Sequence, residues 1–195
     1  MVTDQGGTEH TYAYDALSRV TQDRATALGA GVDGTVRRIG RTYDPRGLVE
    51  SVSSYDNPAI GSGTVLNAVQ FAYNGFGQLI TEYQSTGGSV NTSTTPRVEY
   101  DYASGADNTI RPTLLTYPNG RELTVDYGTA GGMDDQLSRV SALVDDDDTT
   151  LAAYSYLGLG SVVQQSSPEA DLLYTLAAGW PRLLRNRWGP TGHGG

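Results

Sequence analysis

The clearest alternation of apolar and polar positions lies in the stretch "RELTVDY". Apolar residues occupy positions 123, 125 and 127, and polar residues occupy positions 122, 124 and 126. Side chains alternate between the two faces of a strand, so this pattern predicts a half-buried β-strand. The preceding "YPNG" predicts a turn, because proline presets φ and Asn-Gly tolerates positive φ. Together the two stretches predict a β-hairpin.

A tyrosine recurs at a nearly constant spacing along the whole chain. Six copies of the pattern align, and successive tyrosines are 29, 30, 29, 25 and 29 residues apart. A fixed period of this length is typical of repeat proteins, in which each repeat is one supersecondary unit. We call these residues the anchor tyrosines: Tyr14, Tyr43, Tyr73, Tyr102, Tyr127 and Tyr156.

The residues around each anchor tyrosine also follow a pattern. Two positions before the anchor, on the same strand face, an aromatic residue stands in most copies: Tyr12, Phe71, Tyr100 and Tyr154. Four positions after it, a glycine recurs in three copies: Gly47, Gly77 and Gly160. A strand, a glycine-containing turn and a second strand are the signature of a β-hairpin. The sequence therefore predicts an all-β fold, an array of antiparallel β-hairpins.

The two ends of the chain differ from the array. Residues 1–7 are predicted to be an N-terminal lead-in, residues 8–165 the repeat array, and residues 166–195 an irregular or short helical segment. In this last segment, "PEADLLYTLAAGW" predicts a short helix over residues 168–179. The tail "RNRWGPTGHGG" is rich in glycine and predicts a flexible end.

Charge and composition narrow the classes of function. The net charge is −9 and all 13 basic residues are arginine. Phosphate binding needs clustered basic side chains, so nucleic acid is not an expected partner. With no cysteine there is no disulfide and no thiolate metal site. No apolar run approaches the roughly 20 residues of a membrane helix, and "MVTDQGGTEH" lacks the charged and apolar regions of a signal peptide.

Four consecutive aspartates form the sharpest charge feature. Ca²⁺ prefers carboxylate oxygens, so a weak calcium loop is one interpretation of "VDDDDTT". Consecutive carboxylates cannot all point toward one ion, so a solvated turn between "VSALV" and "TLAAYSYL" is the favoured alternative. No other metal or cofactor is expected. The candidate ligands are Asp145, Asp146, Asp147 and Asp148.

No arrangement of residues predicts catalysis. His10 lies in the sequence leading to the first repeat and His193 lies in a glycine-rich tail. Neither position predicts a rigid element that would orient an imidazole, as a Ser-His-Asp triad requires. The chain contains no phosphate loop and no dinucleotide fingerprint. A non-enzyme is therefore predicted, with converging carboxylates of the glycosidase type as the least favoured alternative.

The tyrosines have two interpretations. Exposed rings can stack on sugars, and the candidates for glycan stacking are Tyr12, Tyr100 and Tyr154. Tyrosines at one repeat position can instead form cross-strand contacts between neighbouring hairpins, at about 0.2–1 kcal/mol for each pair. Recurrence in every repeat favours the structural interpretation, because a binding site needs only one or two copies. The aspartates after Tyr14 and Tyr43 are then predicted to close Asx turns.

Tyr-Asp followed by glycine and leucine resembles the YD repeats of Rhs proteins, toxin-complex subunits and teneurins. Tyr43, Asp44, Gly47 and Leu48 match that pattern best. Weaker matches follow in the first and third copies: Tyr14, Asp15, Arg19 and Val20, then Tyr73, Gly77 and Leu79. The "YPNG" element resembles the linking hairpin of the same family. The resemblance covers roughly residues 8–165.

The resemblance implies a spiral of β-hairpins that closes into a hollow shell. In bacterial members the shell encloses a toxic C-terminal domain, and in teneurins it supports cell adhesion. Full shells have many more than six repeats, so this chain is expected to be an open segment of such a shell. The resemblance further implies a secreted or cell-surface location. Expected partners are other YD repeats of the same or a longer chain, with a cell-surface glycan or protein as a further partner.

Overall fold

The computed structural model describes residues 1–105, 109–167, 171–176 and 183–189, the last two ranges as backbone only. The chain divides into two compact units, Met1–Val98 and Glu99–Gly195. The strands of the first unit are β1 (Val2–Thr3), β2 (Glu9–Tyr14), β3 (Val20–Ala27), β4 (Arg38–Tyr43), β5 (Val49–Tyr55), β6 (Val65–Tyr73) and β7 (Leu79–Ser85). Strand β8 (Arg97–Tyr102) begins at the last two residues of that unit.

The second unit continues with strands and one short helix. The strands are β9 (Pro112–Thr116), β10 (Glu122–Asp126), β11 (Ala142–Asp145), β12 (Thr150–Leu157), β13 (Ser161–Ser166), β14 (Asp171–Leu176) and β15 (Leu183–Gly189), and the helix is α1 (Met133–Gln136). Within each unit, strands that are consecutive in sequence pair antiparallel. This order confirms the predicted all-β array of antiparallel hairpins.

A β-bulge lies beside the anchor tyrosine in five hairpins. The register shifts between Ala13 and Tyr14, and again between Thr42 and Tyr43. The same shift occurs immediately before Tyr73, Tyr102 and Tyr156. A bulge adds one residue to one strand and increases the local twist. The anchor tyrosines therefore stand where the strands turn away from flat pairing.

The turns that connect many of these strands share one geometry. Residue i donates its N–H to the carbonyl of residue i+4, and residue i+3 donates back to the carbonyl of residue i. Residue i+3 has positive φ, as in a three-residue hairpin loop that ends in a left-handed residue. In the described residues, this pattern begins at Asp4, Asp15, Asp44, Asn74, Tyr117 and Asp145.

The predicted Asx turns are confirmed. The Asp44 carboxylate accepts the backbone N–H groups of Arg46 and Leu48, both at 2.9 Å. The Asp15 carboxylate accepts those of Leu17 and Arg19 in the same way. The side chain of the first turn residue thus satisfies N–H groups that the strands cannot reach.

The left-handed position in these turns is not always a glycine. Gly47 and Gly77 have φ of 94° and 80°, as the predicted glycine turns require. Ser18 occupies the same position with φ of 62°. Gly160 lies in the predicted turn between β12 and β13, where the positive φ of 62° belongs to Gly158.

Replacing Ser18 with glycine is expected to stabilise the first unit by about 0.5–1 kcal/mol. A left-handed conformation costs an L-residue about 1–2 kcal/mol, and the greater flexibility of glycine in the unfolded chain offsets part of that gain. Chemical denaturation followed by circular dichroism measures the change. Gly47→Ser is the matched control and is expected to destabilise by a similar amount; an unchanged midpoint in both variants would contradict the assignment of strain to this position.

Little of the chain is enclosed in a core. Among the residues whose burial is described, only Ala68 and Ala152 are buried apolar residues, and most strand residues are half-buried on both faces. Tyrosine suits such a surface, because its ring packs while its hydroxyl keeps a polar partner. Stability must therefore come from contacts between neighbouring hairpins.

Two expectations for the C-terminal end of the chain are corrected. The short helix predicted over residues 168–179 is wrong for Asp171–Leu176, which form β14. A helix of this length is marginal without packing, whereas β14 pairs with strands on both sides. Residues 185–189 of the predicted flexible tail belong to β15, and residues 190–195 lie outside the described residues. In the predicted lead-in, Val2–Thr3 form β1 and pair with β2.

Candidate functional site

Four of the six anchor tyrosines connect their hairpin to the one before it. The hydroxyl of Tyr43 donates to the carbonyl of Val20 at 2.8 Å, and that of Tyr73 donates to the carbonyl of Val49 at 2.8 Å. In the second unit, Tyr127 donates to Pro112 at 3.0 Å and Tyr156 donates to Val140 at 2.7 Å. In each case the acceptor lies at or just before the start of a strand of the preceding hairpin, so one contact recurs along the array.

The acceptor residues lie beyond the end of the pairing with the following strand. Strands β3 and β4 pair through residues 22–24 and 38–40, so Val20 is outside their ladder. Likewise, β5 and β6 pair from Ser51 onward, which leaves out Val49. A backbone carbonyl without a ladder partner needs another donor or water. The tyrosine side chain is long enough to supply that donor where the twisted strands separate.

An arginine lies over the ring of three of these four tyrosines. The guanidinium carbon of Arg19 is 4.3 Å from the ring centroid of Tyr43. The corresponding distances are 4.9 Å for Arg111 over Tyr127 and 4.6 Å for Arg139 over Tyr156. Each arginine immediately precedes the residue whose carbonyl accepts the tyrosine hydroxyl. A cation over an aromatic face is attractive by about 0.5–1 kcal/mol at exposed sites. We call this arrangement the tyrosine–arginine ladder.

Aspartates hold the ladder arginines in place. The Nε of Arg19 donates to Asp15 at 2.6 Å, within its own turn. Helix α1 supplies the acids in the second unit, since Asp135 pairs with Arg111 at 2.5 Å and Asp134 pairs with Arg139. The longer connection of the fifth copy therefore contributes carboxylates to two rungs.

The pKa values of these aspartates follow from the same contacts. The pKa of Asp15 is lowered, first by the backbone N–H of Arg19 and further by the Arg19 guanidinium. The pKa of Asp135 is lowered by the backbone N–H of Gly131 and by Arg111. Both groups favour the carboxylate, which is the form that an arginine pairs with.

The sequence analysis missed the ladder arginines. The available signal was the dipeptide Arg-Val at the start of a return strand, which occurs at Arg19 and again at Arg139. Nothing local indicated that these side chains face a tyrosine more than 15 residues away. Leu48 stands at the corresponding place before Val49, so the Tyr73 rung has the hydroxyl bond with leucine at the arginine position.

Ionisation of Tyr73, Tyr127 and Tyr156 is expected to destabilise the fold at alkaline pH. Burial raises the pKa of Tyr73, Tyr127 and Tyr156 above the usual value of 10.0. The stability that they contribute is therefore complete below pH 10 and is lost as the pH rises through the raised values, because the unfolded chain loses these protons first. Tyrosinate absorbance and circular dichroism recorded together from pH 8 to 12 test this. Full ionisation with an unchanged β-sheet spectrum would contradict it.

The other predicted tyrosines differ in exposure. The side chain of Tyr12 is 36% exposed, and its ring stacks on His10 with centroids 6.3 Å apart. Tyr100 and Tyr154 are half-buried. Of the remaining anchors, Tyr102 pairs with Pro112 in the β8–β9 ladder, and Tyr14 is 59% exposed. Glycan stacking by Tyr12, Tyr100 and Tyr154 stays a prediction.

The four aspartates lie in the turn between β11 and β12. Asp145 is the first residue of the shared turn geometry and Asp148 has φ of 64°. Both oxygens of Asp145 are held by Arg121, at 2.7 and 2.6 Å, and this pairing lowers the pKa of Asp145. Carboxylate oxygens of Asp145, Asp146 and Asp147 lie within 4.8 Å of one another. Calcium binding here stays a prediction, and calorimetry with Ca²⁺ tests it.

His10 has a more ordered environment than the sequence predicted. It lies on β2, and its Nδ1 is 2.9 Å from the Asp23 carboxylate on β3. The expectation that no rigid element positions this histidine is therefore wrong. His193 lies outside the described residues.

A buried arginine occupies the first unit. Arg38 is 4% exposed, and its guanidinium carbon is 3.7 Å from the ring centroid of Tyr55 on the neighbouring strand. Its Nη2 donates to the carbonyl of Ser62 at 2.8 Å, while its Nε has no partner. Unlike the ladder arginines, Arg38 pairs with no carboxylate in the described part of the chain.

No helix among the described residues has the length and hydrophobicity to cross a bilayer. No family model matches the sequence, and no curated protein matches it.

The chain is similar to solved structures of Tc toxins. One is the crystal structure of TcdB2-TccC3-Cdc42, with a TM-score of 0.50 and 10% identity over 95% of this chain. Another is the Tc holotoxin pore of Photorhabdus luminescens, with a TM-score of 0.44 and 10% identity over 96% of this chain. The chain spans about a tenth of the length of each, 10% and 11%. The likeness to the first structure establishes an antiparallel β fold of the kind found in a Tc toxin chain.

Proposed function

We propose that this chain is a non-catalytic structural segment of a YD-repeat, Rhs-like protein. Its hairpins, which span residues 8–165, would contribute to a larger β-shell or cell-surface scaffold. The observation that carries the proposal is the recurrence of one tyrosine-hydroxyl contact between neighbouring hairpins. A structural array needs such a contact in every repeat, whereas a binding site needs it once.

The fold likeness supports the same proposal. Toxin-complex subunits are among the proteins whose repeats the sequence resembles, and a Tc toxin chain has a similar fold. The partners proposed are therefore other hairpins of the same kind, and the proposed location is outside the cell or at its surface. The low burial of the sheet faces agrees with a segment that is covered by further protein.

Tyrosine-to-phenylalanine variants test the proposal. Tyr43→Phe, Tyr73→Phe, Tyr127→Phe and Tyr156→Phe each remove one hydroxyl and keep the ring. Each is expected to lower the free energy of unfolding by about 0.5–1.5 kcal/mol, because a carbonyl loses its donor. Equilibrium denaturation of the purified chain measures the loss, rung by rung.

Tyr14→Phe is the matched control. Tyr14 is an anchor tyrosine, but within the described residues its hydroxyl has no protein partner. This variant is expected to change stability by less than about 0.5 kcal/mol. Unchanged stability in all four ladder variants would contradict the structural proposal. Loss of binding to a polysaccharide array on Tyr→Ala at Tyr12, Tyr100 or Tyr154 would instead favour a glycan-binding module.

A further inference from the structure

Tyr14 differs from the ladder tyrosines in what surrounds it. It stands at the end of β2 beside a bulge, as Tyr43 stands at the end of β4. Its side chain is 59% exposed, while those of the four ladder tyrosines are half-buried. In the part of the chain that the structure describes, no arginine lies over its ring and no carbonyl accepts its hydroxyl.

Strand β1 occupies part of the place that a preceding return strand takes elsewhere. Val2 and Thr3 pair with the residues four and five positions before Tyr14. In the next hairpin, Asp23 and Arg24 of β3 pair with the residues four and five positions before Tyr43. By register, β1 therefore corresponds to the middle of β3.

The first residues of β3 precede the part that corresponds to β1. No residues occupy the equivalent place beside Tyr14 in the described chain. The start of β3 brings Val20, whose carbonyl accepts the Tyr43 hydroxyl, and Arg19 before it, which covers the ring. Arg19 is itself held by Asp15, four residues earlier in its turn. The adjoining rung at Tyr43 therefore supplies aspartate, arginine and valine in that order, and a strand that completed the Tyr14 rung in the same way would present them again.

We infer that Tyr14 and the adjoining edge of β2 form a docking surface for the return strand of another hairpin of this kind. That strand lies in line with β1 and opens with arginine and a β-branched residue, preceded by aspartate four positions before the arginine. The inference rests on the proposed function and specifies its partner. The occupant is defined by continuity, because the same contacts join β3 to β4 in this chain.

A graft of the chain's own turn tests the inference. A second copy of residues 15–21, "DALSRVT", is added directly before Met1 of the full chain. In the register of β1, this places the added arginine and valine where Arg19 and Val20 stand relative to Tyr43. Thermal unfolding is expected to shift upward by about 4 °C or more relative to the same graft with its arginine replaced by alanine. Nitration of Tyr14 is expected to slow in the arginine graft.

Tyr14→Ala provides the control within the same experiment. In that background the two grafts are expected to unfold at the same temperature, because the arginine has no ring to cover. Equal midpoints and equal nitration rates of the two grafts on the parent chain would overturn the inference. The phenylalanine variants of the internal rungs are measured on the ungrafted chain, so failure of the proposed function is distinguished from failure of this docking surface.

Discussion

Arg38→Ala is expected to destabilise the first unit by about 2 kcal/mol. The guanidinium of Arg38 lies over the ring of Tyr55, and alanine leaves the volume of the arginine side chain unfilled at a position that is 4% exposed. Chemical denaturation of the full chain, with Arg38→Met beside it, measures the effect.

Arg38→Met keeps most of the packing volume and removes the charge. The free energy of unfolding of this variant is expected to lie within about 1 kcal/mol of that of the parent chain. The lost attraction to Tyr55 is offset because methionine removes the cost of burying a guanidinium that has no carboxylate partner among the described residues. If Arg38→Ala and Arg38→Met lower the free energy of unfolding by the same large amount, the polar contacts of Arg38, including the hydrogen bond to the Ser62 carbonyl, stabilise the fold more than its packing does.

Tyr43→Ala is expected to lower the free energy of unfolding by about 2–3 kcal/mol. The sum comprises a hydrogen bond of about 1 kcal/mol, a cation–π contact of about 0.5–1 kcal/mol and about 1 kcal/mol from a half-buried ring. Arg19→Ala is expected to cost about 1 kcal/mol, and the double variant less than the sum of the two. The difference is the coupling between the two side chains, and denaturation of all four proteins measures it.

Tyr14→Ala is the matched variant at the exposed anchor. Tyr14→Ala is expected to lower the free energy of unfolding by at least about 1 kcal/mol less than Tyr43→Ala does. Among the described residues, the Tyr14 side chain has neither a hydrogen-bond partner nor an arginine over its ring that the substitution could remove. Similar losses at Tyr14 and Tyr43 would mean that the tyrosines act within their own hairpins rather than between neighbours.

The hairpins themselves were readable from local chemistry. Asp44 and Gly47 define a turn in four residues, since the carboxylate caps nearby N–H groups and glycine accepts positive φ. The alternation in residues 122–127 predicts β10 for the same reason, because a period of two depends only on the strand backbone. Recurrence of these short patterns was enough to predict an all-β array.

Contacts across many residues were not readable. Tyr43 and the carbonyl that it binds are 23 residues apart in sequence, and the helix that orients Arg139 lies in an irregular connection. In the same way, the helix prediction is wrong for β14, because pairing with a strand on either side outweighs weak local helix propensity. His10 gained its ordered position from β3, which the sequence did not place beside it.

The repeat period, the turns and the anchor tyrosines can be read from the sequence alone, because they rest on short motifs of neighbouring residues. What the tyrosines contact depends on how the hairpins pack. At Tyr43, the regular pairing of β3 with β4 ends before Val20, and the tyrosine hydroxyl reaches the carbonyl of that residue while Arg19 covers the ring. Those contacts depend on the register between hairpins, which no single repeat encodes.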